Sequence, residues 1–361
     1  MKTKILSFYL PQYHQIPEND EWWGEGFTEW TNVRKAQSFF KGHHQPRIPK
    51  DNNYYMLDDP NSLRWQADLM AKYSVDGVCF YHYWFNGKQL LQKPLEILLE
   101  NQDIDMPFCL SWANEPWTRA WDGGEKEVIM PQAYGDESDW ISHFNYLYKA
   151  FKDDRYIRVN GKPMILIYRA ASIPCLDDML ACWNRLAVEK GLSGLHLVSM
   201  NTSFKDPFEV NGFDATIDFE PMHTVGHHLK GYIRYKRGLS IRFRHLLNRI
   251  LRTPYIIEDQ ISYSTIWENI LSRQLTKNNY VGAFVDWDNT ARKAERGLIM
   301  HGASPKAFHH YLSKQYIRCV QQDVPFIFVN AWNEWAEGTY LEPDSYNRYG
   351  YLEAIKRIKN G

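Results

Sequence analysis

The chain has 361 residues and a formal net charge of -1, so no global attraction draws it to nucleic acid or to an anionic membrane, and no nucleic-acid partner is expected. Hydrophobic residues make up an ordinary 44% and aromatic residues a high 15%, with 14 Trp and 23 Tyr, and the length allows a large core, as one barrel or as two ordinary domains. Cys79, Cys109, Cys175, Cys182 and Cys319 are scattered and lack metal-ligand spacing. They read as reduced thiols of a cytoplasmic protein with no metal and no cofactor.

In chain order, the first apolar run, 5–10, follows two lysines and is too short for a signal-peptide core, so it reads as a first strand. No stretch approaches a membrane span. Further strands are predicted at 77–84, 108–113, 164–168, 195–200, 215–219, 281–286 and 326–331. Amphipathic helical patterns lie at 62–73, 91–99, 140–152, 176–189, 306–321 and 351–359. This alternation predicts an α/β protein with a single (β/α)8 TIM barrel over 1–361, not an open doubly wound sheet. The fifth unit is the weak one, because 204–212 offers barely a turn of helix.

An insertion at about 222–280 separates the sixth and seventh strands and is far longer than ordinary connections. From Met222 to Ile257 it has no acidic residue, while Lys230, Arg234, Lys236, Arg237, Arg242, Arg244, Arg249 and Arg252 alternate with Ile, Leu, Phe and Tyr. Two readings follow for 230–252. One is peripheral contact with an anionic membrane, such as the inner membrane, or with an acidic glycan; the other is a solvated helical cover on the barrel rim.

On such a barrel the active site gathers at the C-terminal ends of the strands. There the sequence places Tyr9 and, in the following loop, Trp30; then His82 and Trp84; Trp112, Asn114, Glu115, Trp117, Trp121 and Asp122; Glu220; Asp286 and Trp287; and Trp332 and Asn333. Indole faces stack on the flat C–H faces of sugar rings, and carboxylates and amides bind the hydroxyls, so the expected substrate is an oligo- or polysaccharide. Each has a plainer reading. Trp84 and Trp112 would fill the barrel top, Glu115 and Glu220 would pair with Arg119 or Arg292, and His82 would be a hydrogen-bonded core histidine.

The last strand runs from Phe326 into Asn333, Glu334, Trp335, Ala336, Glu337 and Gly338. Carboxylates are costly to bury unless paired or used, and two near aromatic faces suit glycosidic-bond chemistry. Residues three apart on a continuing strand face opposite ways, so the chain must turn near Asn333 for Glu334 and Glu337 to serve one substrate, and Gly338 suits that turn. No Gly-rich phosphate loop follows a strand and no Gly-x-Ser-x-Gly elbow is present. Asp286-Trp287-Asp288 has the Asp-x-Asp form by which many glycosyltransferases hold a metal and a sugar nucleotide, a short pattern common by chance.

The segments 8–14, 23–33, 80–85 and 112–117 together resemble the WbsX-type family, labelled glycosyltransferase and associated with O-antigen and capsule gene clusters. That family is in turn similar to the glycoside hydrolase family 99 endo-α-mannosidases, (β/α)8 barrels whose Asn-Glu-Trp-x-Glu-Gly signature falls on 333–338. The resemblance implies that Glu334 acts as a base on the substrate's own 2-substituent, giving a 1,2-anhydro sugar. Glu337 is then the general acid, and configuration is retained without metal or nucleotide. Tyr9 has a tyrosine counterpart in those hydrolases. The region 112–121 and the basic insertion depart from the mannosidase pattern, so mannose specificity does not carry over. The expected activity is an endo-acting retaining glycoside hydrolase of bacterial surface polysaccharide. A glycosyltransferase of polysaccharide biosynthesis and a non-catalytic glycan-binding barrel are the alternatives.

Overall fold

The computed structural model describes residues 3–119, 124–204, 211–253, 255–276 and 278–361. Eight parallel strands form a closed barrel: β1 (Lys4–Tyr9), β2 (Gly77–Phe85), β3 (Phe108–Trp112), β4 (Lys162–Ile167), β5 (His196–Asn201), β6 (Ala215–Asp218), β7 (Asn279–Phe284) and β8 (Phe326–Asn330). Each pairs with the next, and closure comes from β1, whose Ser7 lies opposite Val78 of β2 on one side and Val329 of β8 on the other. Every one of the eight predicted strands overlaps one of these. The helices are α1 (Pro17–Trp23), α2 (Glu29–Lys35), α3 (Pro60–Tyr73), α4 (Lys93–Glu100), α5 (Glu137–Phe151), α6 (Leu176–Glu189), α7 (Gly231–Leu251), α8 (Tyr263–Ser272), α9 (Thr290–Lys293), α10 (Pro305–Gln321) and α11 (Gly350–Asn360).

Local chemistry starts and stops these elements. Asp59 caps α3 by accepting from the Asn61 amide, with Pro60 in the first turn, and Ser74 ends it in the left-handed region. Ser304 and Pro305 open α10 in the same manner. Of the weak fifth unit, 205–210 lies outside the described residues.

Strand alternation decides which side chains fill the barrel. Phe8 of β1 meets Tyr81, Phe219 and Phe328 at ring-centroid distances of 5.8, 5.1 and 5.5 Å, so alternate residues of β1, β2 and β8, and Phe219 just beyond β6, point inward. The other parity meets the helices. Between β6 and β7 the chain passes through α7, the short strand Asp259–Ser262 and α8. That short strand pairs in parallel with Leu298–His301, and Ile299 bridges to Asp288, which fixes this segment on the barrel's C-terminal rim. Among the described residues, no helix is long and apolar enough to cross a membrane.

Candidate active site

The chain leaves β8 at Asn330 and folds back at once, with Asn333–Glu334 pairing antiparallel to Thr339–Tyr340 across a single 3-10 turn, Trp335–Glu337. Gly338 closes that turn at φ 68°, where a Cβ would also stand 2.9 Å from the Asp288 backbone, so two constraints favour glycine. Asn333 anchors the hairpin: its side chain accepts from the Leu10 amide at 2.8 Å and donates to the Leu10 carbonyl at 3.0 Å. The Asp288 amide donates to the Glu337 carbonyl at 2.8 Å, tying the loop after β7 to the same turn.

The turn sets Glu334 and Glu337 on one cation. Arg292, from α9, donates to Glu334 at 3.1 Å and to Glu337 at 2.6 Å through different terminal nitrogens, and its Nε donates to Glu29 of α2 at 3.0 Å. Three carboxylates thus meet one guanidinium at the C-terminal mouth. Glu29 is 0% exposed, Glu334 is 6% exposed, and the Glu337 side chain is more open at 23%. Burial first, then the charge of Glu337, pushes the Glu334 carboxyl up to about 8 against the pull of Arg292. At neutral pH the Glu334 carboxyl therefore favours its protonated form. Burial also raises the Glu29 carboxyl, with Arg292 opposing.

Tyr81 and Tyr83 of β2 and Tyr168 after β4 lie close enough to feel the charge of the pair. Burial raises the Tyr81 phenol, with Glu334 the next contributor, and Tyr83 likewise responds to burial and then Glu334. Trp117 packs edge-on to Tyr83 at 5.1 Å. Glu115 stands 3.6 Å from Arg169 and contributes to the electrostatics of Tyr168. Behind the turn, Glu342 accepts from Trp335 at 2.6 Å, Gln66 at 2.7 Å and Tyr55 at 2.9 Å; burial lifts its carboxyl to about 7.

Several expected sugar contacts face elsewhere, and strand parity is the reason. Tyr9, opposite in facing to Phe8, donates to Gln66 of α3 at 2.7 Å. His82 lies 2.8 Å from His143 of α5, and burial drops its imidazole to about 3, so it is neutral and no base for the cleft. Trp84 stacks on His143 and donates to Asp139, and Trp112 packs on His143 and Trp183. Glu220 is held by Arg273 and the Thr224 hydroxyl, while Arg292 goes to Glu29, Glu334 and Glu337; the side chain of Arg119, the other expected partner, lies outside the described residues. Trp30 is sandwiched among Tyr13, Tyr54, Tyr55 and Trp335, Trp332 is fully buried, and Asn114 clamps the Arg169 backbone. Trp121 and Asp122 lie outside the described residues.

Asp286 and Asp288 are engaged by protein cations and amides. Arg47 lies 3.0 Å from Asp286 and 3.6 Å from Asp288, and His43 and Gln45 each reach Asp288 at 2.9 Å. Burial pushes Asp288 up, but the His43 contact and Arg47 outweigh it and hold its carboxyl below the ordinary range. Trp287 between them is buried, its carbonyl accepting from Met300.

A family model described as glycosyltransferase WbsX matches residues 5–355. Two curated relatives, both "Uncharacterized protein WxcX" from strains of Xanthomonas campestris pv. campestris, are 34% identical over 366 residues, covering 99% of this chain and 50% of the relative. The chain thus spans about half the length of the curated relatives it matches. Among solved structures, a GH99 endo-alpha-mannosidase from Bacteroides thetaiotaomicron is similar at TM-score 0.53 and 12% identity, over 99% of this chain and 95% of that one. A "Glycoside hydrolase-like protein" is similar at TM-score 0.60 and 13% identity, over 99% and 94%. At these identities the likeness concerns the fold.

Proposed function

The chain belongs to the family described as glycosyltransferase WbsX, and from that premise we propose that it is a carbohydrate-active enzyme that hydrolyses glycosidic bonds with retention, using Glu334 and Glu337. The observation that carries this reading is that both carboxyls share one guanidinium at the mouth of a closed barrel. The substrate class is an oligo- or polysaccharide, with bacterial surface polysaccharide the candidate source. We take 1–361 as one catalytic domain, a reading supported by a continuous hydrophobic core from Ile5 to Ile355.

In the first step Glu334 takes the proton of the sugar's 2-hydroxyl while that oxygen attacks the anomeric carbon. Glu337 gives a proton to the departing glycosidic oxygen, leaving a 1,2-anhydro sugar. Water then opens the ring at the anomeric carbon, losing its proton to Glu337, while Glu334 returns its proton to O2. Two inversions amount to retention. The first step needs the shared proton on Glu337, whereas burial keeps it on Glu334 in the resting protein. A hydroxyl donated to Glu334 favours its ionised form, which passes the proton to the more open partner. Arg292 holds both carboxyls in register throughout.

The sign of the pH dependence follows. A carboxyl raised to about 8 is protonated below that pH and ionised above it, so the pair loses its last proton as the pH rises through about 8. kcat/KM is expected to fall above about pH 8; a profile that is flat or rising to pH 10 sinks the shared-proton scheme.

Transfer from a sugar nucleotide is the second reading, favoured by the family description. Against it, the Asp286 and Asp288 oxygens are already met by Arg47, His43 and Gln45. A thermal-shift screen with UDP- and GDP-sugars plus manganese is expected to leave Tm unchanged. A saturable, sugar-specific rise in Tm would favour the transferase, because ligand at a hundredfold its Kd stabilises by about 2.7 kcal/mol.

A further inference from the structure

Helix α7 is turned inside out relative to an ordinary surface helix. Over 21 residues, about 31 Å, Tyr232, Tyr235, Leu239, Phe243, Leu246 and Ile250 recur every three or four positions and form one stripe. All six face solvent, with exposures of 61%, 68%, 48%, 61%, 51% and 65%. The packed side sets Ile233 against the core and adds polar contacts. Arg237 pairs with Asp259, Arg244 donates to the Glu258 carbonyl, and Asn248 bonds the Ile256 backbone twice. Single exposed apolar residues are common on soluble proteins, but a contiguous row of this length marks an interaction surface.

Charge says what covers it. Exposed Lys236 flanks one side of the stripe, and exposed Arg242 and Arg249 flank the other. No acidic residue occurs from Met222 to Ile257, and the nearby Glu258 and Asp259 are engaged by His245 and Arg237 on the packed side. We propose that α7 is an in-plane docking helix for an anionic lipid bilayer, with the stripe entering the acyl boundary and the flanking cations meeting lipid phosphates. An acidic polymer would use the cations but leave Leu239 and Ile250 in water. A second copy seated stripe to stripe would bring two sets of cations together with no acid on either helix. The strand Asp259–Ser262 ties α7 to the same rim as Asp288 and Arg292, so docking holds the cleft at the bilayer surface.

The test is co-sedimentation of the full chain with phosphatidylcholine vesicles, with and without phosphatidylglycerol, beside sedimentation velocity without lipid. Two variants accompany it, Leu239→Ser/Phe243→Ser/Ile250→Ser and Lys236→Gln/Arg242→Gln/Arg249→Gln, all at exposed positions, with folding checked by circular dichroism. The wild type is expected to bind the anionic vesicles at least about tenfold better than the neutral ones, and each variant to lose at least about tenfold. Equal binding to both vesicles, or none, overturns the proposal. So does an apolar variant that binds like the wild type, the signature of a purely charged contact, or a wild-type dimer that the apolar variant dissolves without vesicle binding.

Discussion

Glu334→Gln and Glu337→Gln are each expected to lower kcat by about a thousandfold or more on a glycan substrate, within the range expected when a positioned acid or base is removed. Glutamine keeps the shape of the protonated acid but neither accepts nor yields the proton. The effect falls on kcat more than on KM, since the lost interaction belongs to the transition state. Steady-state rates on an oligosaccharide that the wild type cleaves check this; two variants within tenfold of wild type would remove the pair from the chemistry. Stability gives an independent reading. Because the folded Glu334 carboxyl sits at about 8 against an ordinary 4.5, its proton is bound more tightly in the folded chain. The stabilisation from this group is complete below about 4.5 and lost as the pH rises through about 8. Glu334→Gln is therefore expected to flatten the decline in Tm between pH 5 and pH 9, with little harm to the fold. Identical Tm profiles for variant and wild type would show that Glu334 carries no such proton.

Arg292→Met has the largest expected effect on the fold. It leaves Glu29 fully buried and Glu334 nearly so, with their shared guanidinium gone. Breaking a buried pair from one side costs about 3–5 kcal/mol, because the remaining charge is left without a partner. Urea unfolding is expected to show a loss of that order, and Glu29→Gln in the same chain is expected to recover part of it, since the two residues are directly coupled. Catalysis should fall as well, with the alkaline limb of the surviving activity moved to higher pH, because Arg292 opposes the rise at Glu334. A loss under about 1 kcal/mol, with no coupling to Glu29, would mean that the guanidinium is not what holds the three carboxylates.

The barrel was legible because each strand is a short apolar run bounded by turn residues. The Glu334/Glu337 pair was legible because β8 breaks so abruptly into carboxylates. The lining of the cleft was not. Tyr81 and Tyr83 alternate with His82 and Trp84 in one strand, and the sequence shows the alternation without saying which set faces in. Pairing decides it: Phe8 lies opposite Cys79, so the odd-numbered residues of β2 share the interior and the even-numbered ones meet α5. The same parity turned Tyr9, Trp112 and Glu220 from expected sugar contacts into packing and ion-pair residues. Large rings fill the space between barrel and helices as readily as they line a cleft. Arg292 was visible only as a possible partner of Glu115 or Glu220. Its bridging of Glu29, Glu334 and Glu337 joins residues up to 308 positions apart, and no local pattern reports such a contact.

Whether the two carboxyls act together at one anomeric centre is measured most directly by proton NMR of the first-formed product. A defined surface oligosaccharide, cleaved by the wild type and by the two glutamine variants, should release a product with the substrate's own anomeric configuration, and neither variant should release it at a comparable rate. Release of the opposite anomer, or cleavage that persists without Glu334 and Glu337, would contradict that joint action.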